Sequence, residues 1–154
     1  MKLLFVCTGN ICRSPTAEGV CQKKLVEMGL IKHIEIDSAG THAFNEGAAP
    51  DARSQEVAEK HGIELNHLRA RVVTVDDFER FDHIICMDKN NMDYLRRSAP
   101  AHAQHKLSLL LDHVEGAVSQ DVPDPYYGGE RGFELVFAEI SLGVDALLKK
   151  LCTQ

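Results

Sequence analysis

Apolar residues along this chain recur with two alternating periods. The first run, Leu3-Leu4-Phe5-Val6, is continuous and too short for a helix, so it predicts a buried strand over residues 2–7. Over residues 15–28 the spacing changes: Ala17, Val20, Cys21, Leu25 and Met28 fall on one helical face, and Gly29 supplies a stop. Residues 34–38 predict a second short strand, ended by Ala39-Gly40, and residues 50–60 a helix with Gly62 just beyond it. Thr74-Val75-Asp76-Asp77 has the N-cap and early acidic residues of a short helix. Residues 83–87, around Ile84-Ile85-Cys86, predict a third, fully buried strand. Residues 91–96 predict another short helix and residues 106–110 a fourth strand. The last helix has the clearest pattern: Phe133, Val136, Phe137, Ile140, Val144, Leu147, Leu148 and Leu151 recur at helical spacing.

Strand and helix signals that alternate in this way predict an α/β fold with a parallel sheet. The 154 residues are expected to form a single domain, 1–154, long enough to cover both faces of the sheet with helices. No repeat, low-complexity tract or linker interrupts them. One stretch stands apart. From Asp112 to Gly132 no convincing helix or strand is predicted, and a loop that long in a small domain is often functional.

The junction after the first strand carries the chemistry. Cys7-Thr8-Gly9-Asn10-Ile11-Cys12-Arg13-Ser14-Pro15 reads as a tight loop that runs into a helix start. Loop amides and a helix N-terminus aimed at one point make an anion site, expected here as a phosphate-binding loop after the first strand. The amides of Thr8, Gly9, Asn10, Ile11, Cys12 and Arg13 would face the three equatorial phosphoryl oxygens. Arg13 can grip two of those oxygens at once. Cys7 at the rim would be held as thiolate, the nucleophilic form. Gly9 and Asn10 are residues that tolerate positive φ. Ser14 reads equally as a helix N-cap, with Pro15 in the first turn, or as a hydroxyl donor to the Cys7 sulfur. Asn10 could reach Ser38 or His67; on sequence alone both also read as ordinary polar turn residues.

The long loop offers a second group. In Asp121-Val122-Pro123-Asp124-Pro125-Tyr126-Tyr127-Gly128-Gly129 two prolines bracket and restrict Asp124. Tyr126 and Tyr127 supply flat apolar walls with polar tips. Alone, Asp-Pro would be a solvated turn. Beside a phosphate-binding cysteine loop, Asp124 becomes a candidate general acid, which protonates a departing alkoxide or phenoxide and then activates water against a phosphocysteine. The scheme calls for no metal and no cofactor.

Composition narrows the partners. The net charge of −6 disfavours nucleic acid. Five cysteines, an odd number, are spread over Cys7, Cys12, Cys21, Cys86 and Cys152, which disfavours a secreted disulfide framework. No zinc-type spacing occurs. No apolar stretch reaches membrane-spanning length, and the apolar N-terminus is too short for a signal peptide, so a cytoplasmic protein without membrane insertion is expected.

The three segments around Cys7–Ser14-Pro15, Asp37-Ser38-Ala39-Gly40-Thr41 and Asp124-Pro125-Tyr126-Tyr127 resemble, in order and spacing, the low-molecular-weight protein tyrosine phosphatases. The resemblance implies a four-stranded parallel sheet flanked by helices, with Cys7 as nucleophile, Arg13 as phosphate clamp and Asp124 as acid. It implies a supporting hydrogen-bond network of Asn10, Ser38 and His67, activation of the sulfur by Ser14, and Asp88 as the residue that orients the arginine. Phe44 would take the place of the family's aromatic pocket wall and, with Tyr126, sandwich a phenyl ring; the alternative for Phe44 is a core residue of its loop. Cys12 is a small buried loop residue or, as the resemblance implies, the partner that resolves oxidised Cys7 as a disulfide. Tyrosine-phosphorylated proteins are the implied partners, with a tyrosine-kinase or polysaccharide-export circuit as the implied setting.

Two other activities share this scaffold. Thioredoxin-linked arsenate reductases usually have Gln where Pro15 stands and need a further redox cysteine pair, which Cys86 in a buried strand and Cys152 do not supply. Protein-arginine phosphatases have Thr where Ile11 stands. A third reading, a catalytically silent phosphate-binding module, is disfavoured by nucleophile, clamp and acid occurring together.

Overall fold

Four parallel strands form one sheet in the order β2-β1-β3-β4: β1 is Lys2–Cys7, β2 Glu35–Gly40, β3 His83–Cys86 and β4 Leu107–Leu109. The computed structural model describes residues 1–117, 119–127 and 129–152; the side chains of Tyr127 and Glu130 lie outside the description. Among the described residues the α-helices are α1 Arg13–Glu27, α2 Ala52–Lys60, α3 Val75–Arg80 and α4 Lys89–Ser98 between the strands, and α5 Glu130–Cys152 after the last. Strand β1 is central, pairing Leu3 with Ile36 and Cys7 with Gly40 on one side, Leu4 with Ile84 and Val6 with Cys86 on the other.

Side chains alternate across a strand, so β1 feeds two cores. Leu3, Phe5 and Cys7 join Val20, Leu25, Leu65, Phe133, Ile140 and Val144 in a layer built with α1, α2 and α5. Leu4 and Val6 join Phe78, Phe81, Met92 and Leu95 on the opposite face, with α3 and α4. A strand with both faces covered reads as an unbroken apolar run, which is why β1 and β3 were legible.

Helix α3 follows Thr74 as expected, whereas the other helix starts differ from the sequence expectation, α2 and α4 for a capping reason. Helix α1 begins at Arg13 with Cys12 at the cap position; Ser14 lies inside the helix and is not the N-cap. Asp51 caps α2, its carboxylate accepting from the Arg53 N–H, so Pro50 stays outside. Helix α4 starts at Lys89, because Asp88 and Asn91 form a reciprocal capping box that makes Asn91 the third residue rather than the first. Helix α5 reaches back to Glu130, into the stretch expected to be loop. Strand β4 keeps only three residues, flanked by short 3-10 helices at Ala101–Lys106 and Leu110–His113 that the periodicity did not signal. Strand β2 runs on through Ala39 to Gly40, where a Cβ would lie 2.7 Å from the Thr8 carbonyl oxygen; glycine lets the loop after β1 fold down onto it. Among the described residues no helix is long and apolar enough to cross a membrane.

One carboxylate is buried in this packing. Glu18 of α1 faces β2 and accepts a 2.6 Å hydrogen bond from Ser38 Oγ. Burial pushes its pKa up from 4.5 to about 7; Asp37 adds to the rise, while the Ser38 hydrogen bond and Arg71 oppose it. The raised value means that the folded protein holds the proton more tightly than the unfolded chain. The associated stability is therefore full below pH 4.5 and lost as pH rises through about 7. Glu18→Gln removes the titration. Thermal and urea denaturation should show wild type losing up to about 3 kcal/mol between acid and mildly alkaline pH, while the variant gives a flatter profile; equal slopes would contradict the assignment.

Candidate active site

The chain leaves β1 at Cys7, turns over Gly40 and enters α1 within six residues. The turn is pinned by the Thr41 N–H to the Cys7 carbonyl at 2.9 Å and the His42 N–H to the Thr8 carbonyl at 3.1 Å. Asn10 takes the left-handed conformation, φ 58°, the one positive φ among the described non-glycine residues. Its side chain fixes the loop. The amide nitrogen donates to Ser14 Oγ at 2.7 Å and to Ser38 Oγ at 3.0 Å, and Oδ1 accepts from the Arg71 backbone N–H at 3.0 Å. Ser38 in turn donates its hydroxyl hydrogen bond to Glu18. Because Ser14 accepts from Asn10, its hydroxyl proton is left for Cys7 Sγ, 3.0 Å away, ahead of the Ala39 carbonyl at 3.4 Å.

His67 is not part of this network. It is exposed, beside Gly19, Gln22 and Lys23 on the outer surface, and the expected contact with Asn10 is made instead by the Arg71 main chain. The Arg71 side chain is held against Asp77 at 2.9 Å and Asp37 at 3.0 Å. Burial lowers the pKa of that guanidinium, but the two carboxylates outweigh it and the net direction is upward.

Arg13 is 2% exposed, the largest fully buried side chain among the described residues. Nη1 donates to Asp88 Oδ2 at 2.6 Å and to the Val122 carbonyl at 2.9 Å; Nη2 donates to Thr8 Oγ1 at 3.4 Å and lies 3.8 Å from Asp124 Oδ2. Desolvation opposes the charge, yet Cys7, Asp88 and Asp124 around it raise the pKa overall. Asp88 does double duty, since its other oxygen accepts the Asn91 N–H that caps α4. Asn91 Nδ2 in turn donates to Thr8 Oγ1 at 3.1 Å.

These groups open into a cleft of about 290 Å³. Cys7, Thr8, Gly9, Ile11, Cys12 and Arg13 line its floor; Phe44, Asn45, Asp124 and Tyr126 stand around its mouth. Phe44 is 75% exposed and stacks on His42 at 5.0 Å between ring centroids, so it borders the cleft and is not buried in its loop. Asp124 is 43% exposed; the Tyr126 N–H holds Oδ1 at 3.0 Å and leaves Oδ2 toward Arg13. The Tyr127 side chain, expected as a further wall, lies outside the described residues. Cys7 and Cys12 line the same cleft as free thiols. Burial pushes the Cys12 thiol up to about 12, with Asp51, Cys7 and Asp124 adding to it, so Cys12 is neutral.

Several contributors were not named from sequence. Asn91 carried a readable signal, the capping box three residues after Asp88. Asn45, Arg71 and Glu18 carried none, because their contacts are long-range. A sulfur, a buried guanidinium and a carboxylate around one cleft, at the N-terminus of a helix, form an arrangement suited to binding a tetrahedral oxyanion and transferring it to sulfur.

Known proteins resemble the chain over nearly its whole length. The family model described as low molecular weight phosphotyrosine protein phosphatase matches residues 2–154. A low molecular weight phosphotyrosine protein phosphatase of Gallus gallus is 42% identical over 150 residues, covering 97% of this chain and 94% of that protein. The crystal structure of YfkJ from Bacillus subtilis superposes with a TM-score of 0.95 at 39% identity, covering 99% of this chain and 95% of that one. The crystal structure of DARP, a drosophila arginine phosphatase, superposes with a TM-score of 0.92 at 33% identity over 99% of this chain and 98% of that one. With the sheet, the cysteine loop and the match all running the length of the chain, this protein belongs to the low molecular weight phosphotyrosine protein phosphatases.

Proposed function

We propose that this enzyme hydrolyses phosphotyrosine in proteins through a phosphocysteine intermediate. The observation that carries the reading is the convergence of Cys7, Arg13 and Asp124 on one cleft. The phosphoryl group lies in the loop, its oxygens on the backbone amides of residues 8–13 and on Arg13. The Cys7 thiolate attacks phosphorus in line. As the P–O bond to the leaving group breaks, Asp124 delivers its proton to the departing phenolic oxygen. Asp124, now a carboxylate, takes a proton from water as that water attacks the thiophosphate. Inorganic phosphate leaves, and the hydroxyl of Ser14 stabilises the sulfur as it is expelled.

Substrate choice follows from the walls. Phe44 and Tyr126 stand on the cleft's mouth with exposed faces, and a phenyl ring between them bridges the depth from rim to phosphate loop. A shorter phosphoserine would forfeit those contacts. The arginine-phosphatase reading has the likeness to DARP in its favour. Against it, Ile11 in the cleft floor offers no hydroxyl to position a guanidinium. The arsenate-reductase reading lacks a mobile cysteine pair: Cys86 is fully buried in β3, its thiol pushed up to about 12 by burial. Tyrosine-phosphorylated proteins in the cytoplasm are the proposed substrates, in a tyrosine-kinase or polysaccharide-export circuit. A substrate-trapping variant, Asp124→Ala, is suited to capturing them.

Cys7→Ser should abolish turnover of aryl phosphates while retaining phosphate binding, because the loop and Arg13 stay in place; turnover near wild type in a folded variant would exclude the mechanism. Asp124→Ala should lower kcat about 10²–10⁴-fold for phosphotyrosine, and much less for phenols acidic enough to leave unaided. A steady-state series across leaving groups checks this, and a uniform loss would reassign Asp124. Phe44→Ala should raise KM for phosphotyrosine peptides by several-fold, consistent with an aromatic contact of about 0.5–1.5 kcal/mol, and leave alkyl phosphates unaffected; a parallel change in both classes would remove Phe44 from the pocket wall.

A further inference from the structure

The N-terminus of α2 touches both the phosphate loop and the segment that bears Asp124. The Asp51 backbone N–H donates to the Ile11 carbonyl at 2.8 Å, which fastens the helix cap to the loop. The Asp51 carboxylate accepts from the Arg53 backbone N–H at 2.8 Å, from Nε at 3.1 Å and from Nη2 at 3.0 Å. A two-pronged ion pair of this kind fixes the plane of the guanidinium as well as its position.

The same guanidinium meets the acid segment. Nη2 donates to the Tyr126 carbonyl at 3.3 Å, and Cζ lies 5.4 Å from the centroid of the Tyr126 ring. The Phe133 ring of α5 sits 4.4 Å from the same carbon, so the guanidinium is packed against two aromatic faces. Tyr126 then donates its backbone N–H to Asp124 Oδ1. A continuous path results: Ile11, Asp51, Arg53, Tyr126, Asp124. Arg53 itself does not line the cleft, and its side chain is 39% exposed.

We propose that Arg53 is a positioning residue for the general acid. By clamping Tyr126 to the cap of α2 it sets the distance between the Asp124 carboxyl and the phosphate loop, so that the proton is delivered where the leaving oxygen emerges. The inference rests on Asp124 being that acid. A lysine at this place would keep the charge but not the fork, and a methionine would keep only the stem.

The test is a kcat comparison of wild type, Arg53→Met, Arg53→Lys, Asp124→Ala and Arg53→Met/Asp124→Ala over aryl phosphates of graded leaving-group acidity, with inhibition by inorganic phosphate as the check on the loop. Arg53→Met should slow the poorest leaving groups roughly 10- to 100-fold and the best ones little, with Arg53→Lys between it and wild type. Phosphate inhibition should be unchanged, and the double variant no slower than Asp124→Ala. A loss that is equal across the series, or one that multiplies with that of Asp124→Ala, overturns the role of Arg53 while leaving Asp124 as the acid. A flat series for Asp124→Ala itself overturns both. Should Arg53→Met lose phosphate inhibition through misfolding, Arg53→Lys decides by the same criteria.

Discussion

A guanidinium withdrawn from water is expensive unless its donors are met and its charge is answered. The whole site is organised around that requirement at Arg13. Asp88 answers the charge from the end of β3, the Val122 carbonyl meets a second donor direction from the segment before α5, and Thr8 Oγ1 meets a third from the loop itself. Three stretches far apart in sequence are thereby drawn to one side chain. The same Asp88 caps α4, and Val122 is anchored to β3 by its N–H to the Met87 carbonyl. Removing the arginine would leave Asp88 unanswered and cut the direct tie between the Val122 carbonyl and the loop.

On the opposite side of the loop the organising constraint is directional. Glu18 Oε1 accepts from Ser38, so Ser38 Oγ must accept from Asn10; both amide protons of Asn10 are then spent, and its oxygen is occupied by Arg71. Each group has its donor and acceptor roles assigned by the one before it, and the chain ends with a hydroxyl proton aimed at Cys7. The conformation that Asn10 adopts, costly for most side chains, is thus held by a network that also sets the polarity of the hydrogen bond to the sulfur.

Much of this was written locally in the chain. The strands were legible because both faces of the sheet are covered, and the Cys7–Arg13 loop because a strand, a glycine and a helix start occur in immediate succession. Helix boundaries were less so, because Ser14 and Asn91 are residue types that commonly cap; the structure uses the first for the sulfur and the second as the third residue of α4. His67 was expected as a partner for Asn10, and the Arg71 main chain takes that contact instead. Arg71 meets the loop because the chain runs back along β2 there, its carbonyl accepting the Gly40 N–H at 2.8 Å. Asp88 and Phe44 gained their readings only by likeness to a family, since no local pattern marks a residue that pairs across 75 positions. Arg53 and Glu18 left no local trace at all.

The strand order also bears on how the protein acquires activity. Chain segments leave the carboxyl ends of β1, β2 and β3 at the point where the order reverses, and the crevice between them becomes the cleft. Residues 7–14, 38–45, 88–91 and 122–126 must all be docked before the loop, its clamp and its acid coexist. No contiguous stretch of this chain holds the whole site, and β1, which carries the nucleophile, reaches its full pairing only with β2 and β3 both in place. Turnover in a refolding experiment should therefore lag behind the appearance of helical signal and coincide with closure of the sheet, making catalysis a late and cooperative reporter of the native topology.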